Sequence, residues 1–161
     1  MSTGANQQLA RALGLIPGGC FILTAGEGEQ ATGILASWVQ QAGFDPPSVS
    51  VAVKNEREIR GLIEKTGHFV LNTLTQQQVS SPAFEPFGER GKPGRAAFEN
   101  LQTEQTPDGV VIKDCIAHLG CKLTGKVEAG DHTIYVGAVS AAAVHDEGEP
   151  AIRIRTDGLK Y

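Results

Sequence analysis

The sequence has no apolar run approaching the ~20 residues of a membrane-spanning helix, and its start lacks the basic-then-apolar pattern of a secretory signal. The expectation is a cytoplasmic protein with no membrane insertion. Positive charge is in short supply: 14 Lys and Arg stand against 18 Asp and Glu, a formal charge of −4. That argues against a nucleic-acid surface or an anionic membrane as the main partner. An anionic ligand would need a local cluster of basic side chains. Cysteine is scarce as well. Cys20, Cys115 and Cys121 are odd in number and lack metal-ligand spacing, so they read as buried, reduced thiols. No glycine-rich phosphate loop follows a strand-like run, no Gly-x-Ser-x-Gly elbow is present, and no His, Asp and Glu residues cluster as a metal set. Dinucleotide-fold, P-loop, serine-hydrolase and metal-centre chemistries thereby lose their main support.

Turn formers, by contrast, are plentiful. Twenty Gly and eight Pro in 161 residues suit a β-rich fold better than a helical bundle. The length fits one domain over 1–161 with a proper core. Residues 1–16 read as an N-terminal helical extension, with apolar Leu9 and Leu13 and a stop at Pro17-Gly18-Gly19. Residues 20–25 and 31–38 form a hairpin across the turn Gly26-Glu27-Gly28-Glu29. Asp45-Pro46-Pro47 cannot lie in a central strand, which places a loop before the next one. In that next strand Val49, Val51 and Val53 alternate with Ser50 and Ala52, one face bulky and the other bare. A helix is expected over 56–65, capped by Asn55 and ended by Thr66-Gly67, with Ile59, Leu62 and Ile63 on its inner side.

Residues 68–74 read as a strand and 76–81 as a helical turn, and residues 85–100 as a mobile loop rich in Gly, Pro and charge. Two short extended pieces flank Thr106-Pro107-Asp108-Gly109. Residues 116–127 alternate clearly, with Ala117, Leu119, Cys121, Leu123 and Val127 facing one way; residues 133–144 return as a long strand, and 151–155 form a last one. About seven strands with one well-marked helix suggest a mainly β protein built as a small antiparallel barrel.

The candidate site residues each have two readings. Leu35, Ala36, Ser37 and Trp38 end a strand with small residues before the single Trp. They are either an ordinary strand end with core or dimer filler, or a bare backbone that a planar ligand can approach. Lys54 and Arg57 sit at a strand-to-helix junction, which is either a solvated surface or a place to hold an anion. Asn72 interrupts an apolar strand and must be satisfied, by backbone or by a ligand. His132 lies just past a tight turn beside Asp131, as a surface residue or a catalytic one. His68, His118 and His145 have no distinguishing context.

Three segments in register resemble the flavin reductase-like, FMN-binding split-barrel family: ATGILASWVQQAGFDPPSVSVAV over 31–53, HFVLNTL over 68–74 and GDHTIYVGAV over 130–139. More narrowly, ILASWVQQAGFDPP, KNEREI and a basic final strand followed by Gly and Tyr resemble the C-terminal flavin reductase domain of cyanobacterial diflavin (flavodiiron) proteins. The resemblance implies an antiparallel split β-barrel and a homodimer. It implies FMN bound by Leu35, Ala36, Ser37, Trp38, Val53, Lys54, Arg57 and Asn72, and a nicotinamide nucleotide, NADH or NADPH, contacted by His132 and Tyr161. His132 is the catalytic candidate. It further implies electron delivery to di-iron and flavodoxin-like domains of a parent chain that reduces oxygen, this chain being an excised domain or a stand-alone relative. Family members carry Ser-Ser-x-Thr where this chain has Glu56-Arg57-Glu58-Ile59, which shifts the phosphate onto Arg57 and Lys54. Two alternatives remain: a flavin- or haem-binding module without turnover, and a degenerate dimerisation domain.

Overall fold

The computed structural model describes residues 3–161. Helix α1 (Thr3–Gly14) leads into β1 (Gly18–Gly19), β2 (Phe21–Ala25), β3 (Thr32–Ala36), β4 (Val39–Phe44) and β5 (Pro47–Lys54). Then come α2 (Ile59–Thr66), β6 (His68–Thr73), the single turn α3 (Gln76–Val79), and the hairpin β7 (Thr103–Thr106) and β8 (Gly109–Ile112). Two 13-residue strands follow, β9 (Ala117–Ala129) and β10 (His132–Val144), and the two-residue β11 (Ile152–Arg153).

Seven strands make one antiparallel sheet in the order β3-β2-β6-β9-β10-β5-β4. It curls on itself, because β3 and β5 bury side chains in the same core. Yet β3 and β4 are its two edges, and no hydrogen-bonded ladder joins them. The barrel is therefore split, as the resemblance led one to expect.

Each strand's sequence explains its place. In β5 the valines at 49, 51 and 53 are buried while Ser48, Ser50 and Ala52 are only partly so. They face a core of Leu23, Ile34, Phe69, Leu71 and Tyr135, closed at one end by Ile59 and Ile63 of α2. Strand β2 is apolar on both faces for a reason: Leu23 enters that core, while Ile22 enters a second one with Phe84, Phe87, Phe98 and Ile112. Full burial of each such side chain contributes about 1.5–3 kcal/mol. The phenylalanines of that second core come from 3-10 turns at Pro82–Phe87 and Arg95–Phe98, within and beside the glycine- and proline-rich stretch.

Four sequence expectations need correction. The loop at Asp45-Pro46 is present but shorter than expected, because Pro47 already opens β5 and Val39–Phe44 is an edge strand paired with it, with the Asp45–Pro46 peptide cis. The polar, glycine-containing sequence VQQAGF hides that strand, because an edge strand has little to bury. The helix starts at Ile59, with Glu58 as its cap residue. Asn55 is drawn elsewhere, donating to Gly130 O at 3.2 Å and accepting from the Thr133 hydroxyl at 2.9 Å. Val127 faces outward, 58% exposed, because the β9–β10 pairing shifts register between Val136 and Gly137. The last strand is only Ile152–Arg153.

Candidate functional site

The register of β5 creates the site. Its pairing with β4 ends at Val51↔Val39, so Ala52, Val53 and Lys54 run on beyond their neighbour and look across the open seam at β3. One bond spans the gap, from Ala52 N–H to Trp38 O at 3.0 Å. The space left is a compartment of about 190 Å³, bounded by residues 34–38 on one side and 52–54 on the other. An open strand edge presents backbone donors and acceptors that no third strand uses. A planar polar ligand can supply the missing partners.

Charge is concentrated here despite the acidic whole. Lys54, Arg57 and Arg153 line this compartment against one carboxylate, Glu89. Lys54 is held by Glu56 at 2.6 Å, and this hydrogen bond raises the lysine pKa while lowering that of the glutamate. Among the described residues, the Arg57 side chain forms no hydrogen bond or ion pair, and its backbone N–H donates to Lys54 O just ahead of α2. The adjacent helix N-terminus adds a favourable dipole for an anion.

A second compartment of about 540 Å³ opens outward and shares Trp38, Lys54, Glu89 and Tyr161 with the first. Gly130, at φ 63°, makes the turn that delivers Asp131 and His132 to this wall. His132 is buried, 6% exposed, and its ring lies 4.6 Å from that of Trp38, tilted by 37°. Its Nδ1 meets the Asp131 carboxylate at 2.7 Å, and its Nε2 meets the Tyr161 hydroxyl. The carboxylate accepts from Nδ1–H, so in the neutral ring Nε2 accepts the phenol proton. The same bond holds the Asp131 carboxyl below its usual range, and burial pushes the Tyr161 phenol up. Arg155 stacks its guanidinium over the Trp38 ring, 5.0 Å from the centroid.

The fold thus gathers Leu35, Ala36, Ser37, Trp38, Val53, Lys54 and Arg57 in one compartment and His132 in the next, with Tyr161 lining both. It does not bring Asn72 to either. Asn72 is wholly buried; its amide donates to Ile22 O and Val110 O at 3.2 and 3.3 Å and accepts from Ile112 N–H at 2.8 Å. Of the two readings of that side chain, the backbone one describes its geometry: it pins the β7–β8 hairpin to β2 and β6. Three residues at the site escaped the sequence reading, namely Glu89, Arg153 and Arg155. The alternation Ile152-Arg153-Ile154-Arg155 was a usable signal for the two arginines, since a period of two puts them on one face. Nothing local marks Glu89. The remaining histidines pair away from the cleft, His68 with Asp108 at 2.7 Å and His118 with His145 at 2.9 Å.

Residues 13–157 match the flavin reductase like domain, and the chain belongs to that family. It is also 35% identical over 158 residues to diflavin flavoprotein A 1 of Synechocystis sp., which covers 97% of this chain and 27% of that protein. Its relatives of this kind are the cyanobacterial flavodiiron proteins, larger chains of which it spans between 25% and 28% in the first few matches. Among solved structures, an NADH:FAD oxidoreductase of Streptomyces globisporus C-1027 superposes with a TM-score of 0.81 at 24% identity, covering 96% of this chain and 92% of that one. The same oxidoreductase in complex with NAD and FAD fragments gives 0.78 at 22%, covering 95% and 90%. At such identities the likeness establishes the split-barrel fold.

Proposed function

We propose that this chain is an NAD(P)H-dependent flavin reductase module that holds FMN in the seam between β3 and β5. The observation that carries the reading is the seam itself: unpaired strand edge, small side chains and converging cations on an otherwise acidic protein. The residues fit such a cofactor. The inner compartment alone falls below the roughly 300 Å³ typical of ligand sites, but it shares four lining residues with the outer one of about 540 Å³. The NAD and FAD fragments named with the Streptomyces oxidoreductase support the same ligand classes.

Bound flavin would supply a ring that accepts hydride from a nicotinamide, chemistry that belongs to the cofactor. The chain's own residues bind and orient. Leu35, Ala36 and Ser37 offer backbone groups to the ring's polar edge, with Val53 opposite; Lys54 and Arg57 hold the phosphate. Trp38 and His132 form a rigid aromatic wall that aligns the nucleotide and keeps water from the reacting faces. Tyr161, hydrogen-bonded to His132, covers the cleft and must yield for the nucleotide to enter.

By the same reading, the module works as a homodimer and passes electrons to di-iron and flavodoxin-like domains of a parent chain in the cytoplasm. Exposed apolar side chains such as Phe44, Val144 and Ile152 support an apolar contact with a second copy. The test is a flavin titration followed by anaerobic addition of NADH and of NADPH. Bleaching of flavin absorbance is expected. No bleaching with either nucleotide would leave a flavin-binding module without turnover, and no flavin uptake by an intact dimer would leave a dimerisation domain.

A further inference from the structure

The final extended segment is inside out. Across residues 152–155 the isoleucines face solvent, Ile152 at 68% and Ile154 at 61% exposed, while Arg153 and Arg155 turn inward and are partly buried. A half-buried strand ordinarily does the reverse, and a guanidinium drawn out of water needs a compensating partner. Arg155 has several: the Trp38 ring face and the carbonyls of Gly158 and Lys160, at 3.4 and 3.2 Å. Arg153 has none, forming no side-chain hydrogen bond or ion pair among the described residues.

Local architecture exists to put it there. The two-residue ladder of β1 with β11 sets Gly18 opposite Arg153. Gly18 lies so close to the end of β3 that a Cβ on it would stand 2.6 Å from Ser37 O. Only glycine permits that approach, and opposite it Arg153 lines both the seam compartment and a neighbouring cavity of about 430 Å³ that it shares with Gly18, Ser37 and Trp38. In the seam it shares one small compartment with Lys54 and Arg57. Lys54 is also held by Glu56 at 2.6 Å, whereas Arg57 and Arg153 are the cations of this compartment whose side chains form no hydrogen bond or ion pair among the described residues.

We infer that Arg153 is a ligand-binding residue of the seam and that its guanidinium, with Arg57, takes the phosphate of the bound flavin mononucleotide. This rests on the flavin reading above. A planar guanidinium can clamp a phosphate through two parallel bonds where the chain has no hydroxyl cluster to do so. The same chemistry would suit a phosphate of the nicotinamide nucleotide, which the experiment separates from the flavin's.

The experiment uses the full chain, with Arg153→Gln and Arg153→Lys, titrated with FMN and with riboflavin by flavin fluorescence and with NADH by competition or KM. Thermal melting checks that both variants are folded, and the lysine variant keeps the charge while losing the fork. The expected result is that Arg153→Gln weakens FMN by about 10- to 100-fold, leaves riboflavin within about twofold, and that Arg153→Lys falls between. Weakened NADH with unchanged FMN would move the anion partner to the nucleotide and overturn the assignment to the flavin phosphate. Equal losses for FMN and riboflavin, or no loss for any ligand, would overturn the anion-binding role itself. Failure of the unaltered chain to bind any flavin is a different result, and it would overturn the flavin reading instead.

Discussion

His132 and Trp38, from opposite halves of the chain, stand ring to ring at 4.6 Å, and the imidazole is further fixed by Asp131 on one nitrogen and Tyr161 on the other. A ring held on three sides has little freedom to reorient. Its value to a ligand in the cleft is a preformed surface whose ordering cost is already met by the fold.

Replacing His132 with Ala removes one wall of the outer compartment, and His132 itself does not line the seam. Anaerobic stopped-flow reduction should slow by roughly 10- to 100-fold in kcat/KM, the scale expected for lost alignment, while flavin titration gives an unchanged Kd. Unaltered reduction rates would separate His132 from the nucleotide.

Asn72→Ala should act on stability. The truncation strips the buried Ile112 N–H and the Ile22 and Val110 carbonyls of a side-chain partner. A loss of roughly 2–4 kcal/mol is expected, seen as a lower urea midpoint at an unchanged m-value. Preserved stability with lost flavin binding would restore Asn72 as a ligand anchor.

His118, stacked on His145, should make the fold acid-sensitive. Burial, then the neighbouring His145 and Lys113, depress the His118 pKa below its ordinary value, with Glu104 and Asp108 opposing. A depressed pKa means that the folded state prefers the neutral ring. The contribution to stability is complete above the unfolded value of about 6.5 and is lost as pH falls through the folded one. Thermal midpoints at about pH 7.5 and about pH 5 should therefore diverge, and His118→Asn should narrow the difference.

The three cysteines should be inert. Burial pushes Cys115 and Cys121 up to about 12 and raises Cys20 as well, so little thiolate is present at neutral pH. A thiol-reactive chromophore should label none of them in the native protein and all three after denaturation. Rapid native labelling would contradict the burial of these side chains.

Much of this molecule can be read from local pattern. The alternation in residues 49–53, the hairpin of residues 20–25 with 31–38 and the turn at Gly130 each have a physical cause confined to a few neighbours, and each stands in the structure where the pattern puts it. The three family-like segments placed the seam residues and His132 in the right order along the chain. Edge strand β4 was illegible because it buries almost nothing, and Asn55 looked like a helix cap because its true partners lie some seventy-five residues away.

By itself, then, the sequence determined most of the strands and that they form a mainly β barrel, and it marked Leu35 to Trp38, Lys54 and Arg57 as candidates to border a ligand. Only the tertiary structure decided where the barrel stays open, because that depends on how far β4 travels along β5 before its pairing ends at Val51. It also decided that Asn72 serves the backbone while Arg153 turns into the seam. Both outcomes depend on long-range partners, which no local periodicity encodes: a buried amide goes wherever unsatisfied backbone groups are brought to it, and a strand of two residues takes its orientation from the glycine pair it lies against.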